Sequence, residues 1–376
     1  MTVLPNKIGI LGGGQLGRML ALAGYPLGFQ FAFFDPNPDS PAGHLAPLTI
    51  ADYSDEGALK HFAASVDVVT LEFENVPTAA INLVSKYKSV FPNVRAVQTA
   101  QDRIQEKSLA EALKIPTPKF RAVKSKQELQ TAVTELGLPA VLKTTRLGYD
   151  GKGQFVVRSA NDIDSAWEQL GSSPLILEEF VSFEREVSQI LVRDQQGLLQ
   201  FYPLCENVHK NGVLYSTTLP AHDSNSLSKL AQQHASTIAE ELQYVGVLAI
   251  EFFVRGNELL FNEMAPRVHN SGHWSIEGAV TSQFENHVRA VAGLPLGSTE
   301  LRGPSKMFNL LGRAPKLSAL CSVEGVHIHL YGKAPRPGRK IGHVTVVETN
   351  QQALELKAKK IEQLLVESAS DACAQW

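Results

Sequence analysis

Residues 250 to 274 read I-E-F-F-V-R-G-N-E-L-L-F-N-E-M-A-P-R-V-H-N-S-G-H-W. Two apolar runs flank Arg255-Gly256-Asn257-Glu258, which is the pattern of a β-hairpin. Each run carries a carboxylate at its far end: Glu251 on the first, Glu263 beside Asn262 on the second. A symmetric two-residue loop at Gly256-Asn257 sets Glu251 opposite Asn262. A three-residue loop with a bulge sets it opposite Glu263. In either register the two carboxylates come close together among Phe252, Phe253, Leu259, Leu260 and Phe261. Opposed like charges are destabilising, and buried charges need partners. A hard divalent cation such as Mg²⁺ resolves the conflict, because it takes carboxylate oxygens and then substrate phosphates. The polar cluster Arg267, His269, Asn270, Ser271 and His273 follows at once, more donors than a strand or helix end requires.

Upstream of the hairpin, Ala140-Val141-Leu142-Lys143 reads as a buried strand ending in lysine. The Gly-rich run Gly148-Tyr149-Asp150-Gly151-Lys152-Gly153-Gln154 and the strand Phe155-Val156-Val157 come after it. A strand-borne ammonium with glycines that free backbone N–H groups is a phosphate arrangement. It is not a Walker loop, since no G-K-[ST] opens a helix. On its own, Lys143 reads first as a strand-end lysine with its head in water, and the glycines shift the balance toward phosphate. Leu175 to Val181 is a strand running into Glu178-Glu179 and the apolar pair Phe180-Val181, suited to an adenine edge and face. Glu186 follows where it could accept two ribose hydroxyls, and His209 ends a later strand. Helices are expected at 101–113, 127–136 and 231–242.

At the N-terminal end, Lys7 to Leu11 is a strand, Gly12-Gly13-Gly14-Gln15-Leu16-Gly17 a G-x-G-x-x-G turn, and Arg18 to Ala23 a helix. Asp35 ends the next strand, where a dehydrogenase places its ribose-binding acid. A nicotinamide or flavin oxidoreductase is therefore a rival, although the same turn also builds domains that bind no dinucleotide. Glu72 and Glu74 stand at a strand's carboxyl end, either as helix N-terminal acids or facing a ligand. At the other end, strands are expected over 307–312 and 326–331. The basic turn Gly332 to His343 follows, with Lys333, Arg336, Arg339 and Lys340, and then a terminal helix over 351–365. Fraying is expected from Asp371.

The 376 residues are 44% hydrophobic and 19% charged with a net charge of −3, which suits two or three domains and gives no footprint for nucleic acid. Three separated cysteines make neither a disulfide framework nor a zinc site and point to a reducing compartment. The N-terminus has no signal-peptide core and no apolar run is long enough to cross a bilayer, so a cytoplasmic, membrane-free chain is expected.

The strand lysine, Gly-rich flap, E-E-x-V hinge and late E…N-E pair together resemble the ATP-grasp superfamily. The stretches G-G-G-Q-L-G-R-M, G-Y-D-G-K-G-Q, Y-V-G-V, N-E-M-A-P-R-V-H-N-S-G-H-W and R-P-G-R-K-I-G-H narrow the resemblance to the N5-carboxyaminoimidazole ribonucleotide synthetases, over essentially the whole chain. The resemblance implies mixed α/β and α+β architecture. It divides the chain into a Rossmann-like domain (1–97), an ATP-grasp domain (98–303, with a flap subdomain over 118–180) and a small β-rich C-terminal domain (304–376). It implies ATP-dependent carboxylation of 5-aminoimidazole ribonucleotide by bicarbonate through carboxyphosphate, with Mg²⁺ and without NAD, flavin or biotin, in a homodimer. It places Arg103, Lys143, Gly148, Tyr149, Asp150, Gly151, Lys152, Gly153, Gln154, Glu178, Glu179, Phe180, Val181, Glu186, His209, Asn262 and Glu263 at ATP. Glu251 and Glu263 hold the metal. Gln15, Glu74, Tyr149, Asp150, Lys152, Arg267, His269, Asn270, Lys333, Arg339 and Lys340 face the ribonucleotide. Arg267, His269 and Lys333 are the expected catalytic groups, the first two for bicarbonate and proton handling because they follow the metal acids directly. Another ATP-grasp ligase or carboxylase, formate-using or biotin-dependent, is the nearest alternative, and a non-catalytic nucleotide-binding module a more distant one.

Overall fold

The structure is a computed structural model that describes residues 4–148, 151–222 and 225–373, with side chains to residue 368. Tyr149 and Asp150 therefore lie outside the described residues. Three sheets organise the chain. The first is five-stranded and parallel, in the order Leu48–Thr49, Gln30–Phe34, Lys7–Leu11, Val68–Leu71, Val90–Phe91. Its strands are apolar on both faces, as a sheet covered on two sides requires. Ile8, Ile10, Phe31 and Phe33 fill one core, while Leu11, Ala32, Phe34 and Val69 fill the other. The first of these cores also takes Ile190, Val247, Trp274, Phe284 and Tyr331 from the rest of the chain, so the N-terminal unit is docked by shared apolar packing.

The glycine-rich turn leaves the central strand where the strand order reverses, the usual ligand position in such sheets. Here the chain supplies its own anion. The Glu72 carboxylate accepts from the Gly17 N–H at 2.7 Å, and a Cβ at Gly14 would overlap it. Asp35 accepts from the Gly13 N–H at 2.7 Å and from that of Asn37 at 2.8 Å. Both dinucleotide-like features are thus satisfied internally.

The second sheet is four-stranded and antiparallel, in the order Phe120–Val123, Leu175–Glu179, Ala140–Thr144, Gln154–Val157. Helices Lys126–Leu136 and Ile163–Leu170 close its core. The third is nine-stranded. Its main path runs Glu258–Ala265, Gly246–Arg255, Arg185–Arg193, Cys205–Lys210, Val213–Leu219, Ser305–Leu311, Lys340–Val347, Val326–Leu330, with Leu199–Phe201 beside Arg185–Arg193. The strands beyond residue 304 continue this sheet directly, with Ser216 opposite Phe308.

Two helices exceed their expected bounds the most. Asn225–Glu241 starts earlier because Leu227 joins the buried face, and Gln351–Cys373 runs past Leu365 because no Gly or Pro stops it. No helix among the described residues is long and apolar enough to cross a membrane.

Candidate active site

The hairpin that opened the sequence reading is strands Gly246–Arg255 and Glu258–Ala265, joined by the two-residue loop Gly256-Asn257. Pairing is regular from Arg255↔Glu258 to Phe252↔Phe261 and then shifts, so that Glu251 faces Glu263 and Asn262 is the extra residue. Each expected register thus supplied half of the answer: the loop is the short one, and the bulge lies inside the strand. A bulge re-aims a side chain next to a site, and here it brings the second carboxylate opposite the first.

Helix Arg103–Ala112 supplies the counter-charges. Asp102 caps it, accepting from the Ile104 N–H at 3.1 Å. Arg103, Glu106 and Lys107 fall on one face at helical spacing. Arg103 donates to Glu263 at 2.8 Å and to the Gly148 carbonyl at 3.0 Å, joining the carboxylate pair to the start of the Gly-rich run. Buried Glu106 accepts from the Met264 N–H at 3.1 Å, and burial pushes its carboxyl up to about 8. Lys107, fully buried, donates to the Asn262 carbonyl at 3.1 Å. Glu106 and Lys107 escaped the sequence reading. The signal available was charge at 106 and 107 where Ala110 marks the buried face.

Burial and then Glu263 push Glu251 up to about 7. Burial would raise Glu263 too, but the Arg103 guanidinium holds it below the usual carboxylate range. This pair carries more negative charge than Arg103 alone offsets, and it fits a divalent cation. Among the described residues no three His, Cys, Asp or Glu side chains make a self-sufficient metal cluster. Mg²⁺ does not need one, since it binds through one or two carboxylates plus phosphates and water.

Several of the residues expected at the nucleotide are paired with one another. Lys143 meets Glu178 at 2.9 Å, and His209 Nδ1 meets Glu186 at 2.5 Å. Glu178 and Val181 are buried, and Phe180 is exposed. The flap residue Gly151 lies over the Asn211-Gly212 turn, where an added Cβ would stand 3.3 Å from the Asn211 carbonyl oxygen. The Gly153 carbonyl accepts from the Thr144 N–H at 2.8 Å, and Gln154 begins the next strand, so Lys152 sits within a loop pinned at both sides.

The Arg267 corner adjoins the carboxylates. Arg267 is paired with Glu74 of the N-terminal unit, and against burial it holds Glu74 down at about 2. His269 points Nε2 at Glu251, 3.4 Å away. Its Nδ1 accepts from the Ser271 N–H at 3.3 Å and meets the Ser271 hydroxyl at 2.8 Å. That hydroxyl continues to Ser188 at 2.7 Å, Ser188 to Asn207 at 3.0 Å, and Asn207 to Thr217 at 3.0 Å. An unprotonated Nδ1 leaves the proton on Nε2, and burial with Arg267 pushes the imidazolium pKa down to about 3.

Glu74, Arg103, Gly148, His209, Glu251, Glu263, Arg267, His269 and Asn270 line one cavity of about 310 Å³, together with Gln15, His273, Tyr331 and Lys340. Lys333 reaches the same lining through Gln15. Asn270 exchanges two amide hydrogen bonds with Asn309, at 2.9 and 2.7 Å, so its side chain is already engaged. Arg339 is half-buried, donates to the Ala334 carbonyl at 3.2 Å, and is not among the cavity residues.

Three family models match: the ribonucleotide synthetase preATP-grasp domain over residues 5–101, the ATP-grasp domain over 108–284, and the phosphoribosylaminoimidazole carboxylase C-terminal domain over 305–357. The chain is 49% identical over 359 residues to the N5-carboxyaminoimidazole ribonucleotide synthase of Pseudomonas aeruginosa, covering 96% of this chain and 99% of that one. The N5-carboxyaminoimidazole ribonucleotide synthetase structure from Thermus thermophilus superposes with a TM-score of 0.91 at 51% identity, over 95% and 98% of the two chains. The N5-carboxyaminoimidazole synthase of Aspergillus clavatus, in complex with ADP and 5-aminoimidazole ribonucleotide, superposes with a TM-score of 0.90 at 32% identity over 96% and 99%. The chain belongs to the N5-carboxyaminoimidazole ribonucleotide synthase family of ATP-grasp enzymes.

Proposed function

We propose that the chain performs the reaction for which its relatives are named, the ATP-dependent carboxylation of the exocyclic amine of 5-aminoimidazole ribonucleotide in purine biosynthesis. One observation carries the reading: a single cavity joins the Glu251/Glu263 pair and Arg103 to the Arg267/His269 corner, and its lining includes residues of the N- and C-terminal parts of the chain.

In this reading the triphosphate lies against Arg103 and Lys143 under the Gly148–Gln154 flap, with adenine at Glu178 to Val181 and ribose at Glu186 and His209. The resemblance assigns Tyr149 and Asp150 to the ribonucleotide. Glu251 and Glu263 would hold Mg²⁺, which supplies charge neutralisation to the transferred phosphoryl group. The Arg267 guanidinium holds bicarbonate, one oxygen of which attacks the γ-phosphorus and expels ADP. Carboxyphosphate then gives CO₂ and hydrogen phosphate. The amine lone pair takes the CO₂ carbon as a carbamate, and the proton it releases goes to that phosphate. With its proton on Nε2, His269 is a weak base. Its part is to donate to and orient the anion. Closure of the flap keeps carboxyphosphate from water. Lys333 and Lys340 face the ribonucleotide 5′-phosphate.

A homodimer is proposed on family resemblance, and sedimentation equilibrium tests it. A cytoplasmic setting accords with the free thiols of Cys205 and Cys321, and extraction under thiol-trapping conditions checks that they remain reduced.

The deciding experiment follows oxygen. With ¹⁸O-labelled bicarbonate and saturating ribonucleotide, one bicarbonate oxygen should appear in the released phosphate. Unlabelled phosphate with product still formed would exclude carboxyphosphate.

A further inference from the structure

Lys107 is fully buried, and a lysine hidden in this way is rare without a partner. Its ammonium stands 3.5 Å from Glu178 Oε2 and donates to the Asn262 main-chain carbonyl at 3.1 Å. Glu178 belongs to the four-stranded sheet and Asn262 to the hairpin of the nine-stranded sheet, so one ammonium ties together both walls of the nucleotide cleft. The same Glu178 oxygen also takes Lys143 at 2.9 Å. The two lysines differ in reach: the Lys143 side chain keeps 13% of its exposure, while Lys107 keeps none. Only Lys143 is placed to touch a ligand.

We infer that Lys107 is a positioning residue, the standing counter-ion of Glu178 that lets Lys143 leave this carboxylate for the phosphates of ATP. The inference rests on the assignment of Lys143 to the nucleotide made above. A buried carboxylate stripped of its only cation is strongly unfavourable. Were Lys143 the sole partner, phosphate and carboxylate would compete for one ammonium, and binding would weaken. With Lys107 in place, the transfer of Lys143 leaves a paired acid behind. Burial would raise the Glu178 carboxyl, yet Lys107 first and Lys143 next hold it at about 2, so it is charged throughout.

The test uses the full chain and four variants: Lys107→Met, Lys143→Met, Glu178→Gln and the Lys107→Met/Glu178→Gln pair. ATP affinity is measured by calorimetry without ribonucleotide, beside KM for both substrates and the thermal midpoint. Lys107→Met should weaken ATP by about tenfold or more and leave the ribonucleotide KM within about twofold. In the Glu178→Gln background, where no carboxylate needs a cation, the same change should alter ATP affinity by less than about twofold. A lower thermal midpoint with unchanged ATP affinity overturns the inference, as does an equal loss in both backgrounds. Should Lys107→Met not fold, the double variant is compared with Glu178→Gln alone. Equal affinities support the inference, and a difference beyond about twofold overturns it. Lys143→Met separates the two claims. If it leaves ATP binding unchanged, the nucleotide assignment fails and takes the inference with it. If it weakens ATP while Lys107→Met does not, only the inference falls.

Discussion

The His269 imidazole is held by hydroxyls and amides that reach back through Ser271, Ser188 and Asn207 to Thr217. These groups never touch substrate in the arrangement described, but they decide which ring nitrogen carries the proton. Ser271→Ala should therefore leave ATP affinity unchanged and lower kcat by about ten- to a hundredfold, the usual cost of losing an orienting partner. Steady-state kinetics with calorimetry checks this, and an unchanged kcat would remove the chain of donors from the mechanism. At this scale the sequence was legible in the paired acids: Glu251 and Glu263 were expected to come together, and they stand opposite each other beside Arg267 in one cavity. It was illegible where a charge is buried for another residue's sake. Nothing in Glu-Lys at 106 and 107 distinguishes a solvated helix pair from one that holds a bulge and a carboxylate from below. Pairing across more than a hundred residues has no local trace.

Among the elements, the glycine-rich turn is by itself a weak signal for a dinucleotide. Its donors are occupied by Glu72 and Asp35, so an incoming pyrophosphate would meet a carboxylate where it needs N–H groups. Calorimetry with NAD⁺ should show no binding, and micromolar affinity would restore the oxidoreductase reading. The motif records a tight turn and close packing, which the strand–turn–helix pattern did predict. The basic turn calls for a finer division than its composition suggested. Lys340 lines the cavity and Arg339 does not. Lys340→Ala should raise the ribonucleotide KM by about tenfold or more and leave that of ATP nearly unchanged, whereas Arg339→Ala should have the smaller effect. Equal effects of the two changes, read from the two KM values, would contradict the placement. The hairpin lies between these cases. Residue types announced the turn and the paired acids, but the bulge at Asn262 depends on what lies beneath the strand, and hydrophobic alternation alone does not report it.

Across the whole molecule, His287 joins two sheets. Its Nδ1 accepts from the Val247 N–H at 3.0 Å, so its Nε2–H donates to Thr70 at 2.8 Å, and both bonds need the neutral ring. Burial pushes its pKa down to about 4. The folded value lies below the unfolded value of about 6.5. As pH falls through that window the unfolded chain takes up a proton that the folded chain refuses. This group therefore leaves stability untouched above pH ~6.5 and lowers it by ~1.4 kcal/mol per pH unit down to pH ~4, about 2 kcal/mol at pH 5. In urea melts, His287→Gln should be less stable than the parent at neutral pH yet lose about 2 kcal/mol less on acidification to pH 5. An unchanged acid loss would show that the ring titrates alike in both states. The three-part division was readable from motifs, but the shared sheet was not, because the partner of Val213–Leu219 lies far along the chain. That pairing also bears on synthesis. As the chain leaves the ribosome, the Val213–Leu219 strand emerges long before Ser305–Leu311 exists to cover it. An uncovered strand edge recruits other edges. Until the last strands arrive, the growing polypeptide carries a sticky border that only its own final segment can seal, so translational stalling between residues 219 and 305 is the moment at which this protein most needs a chaperone.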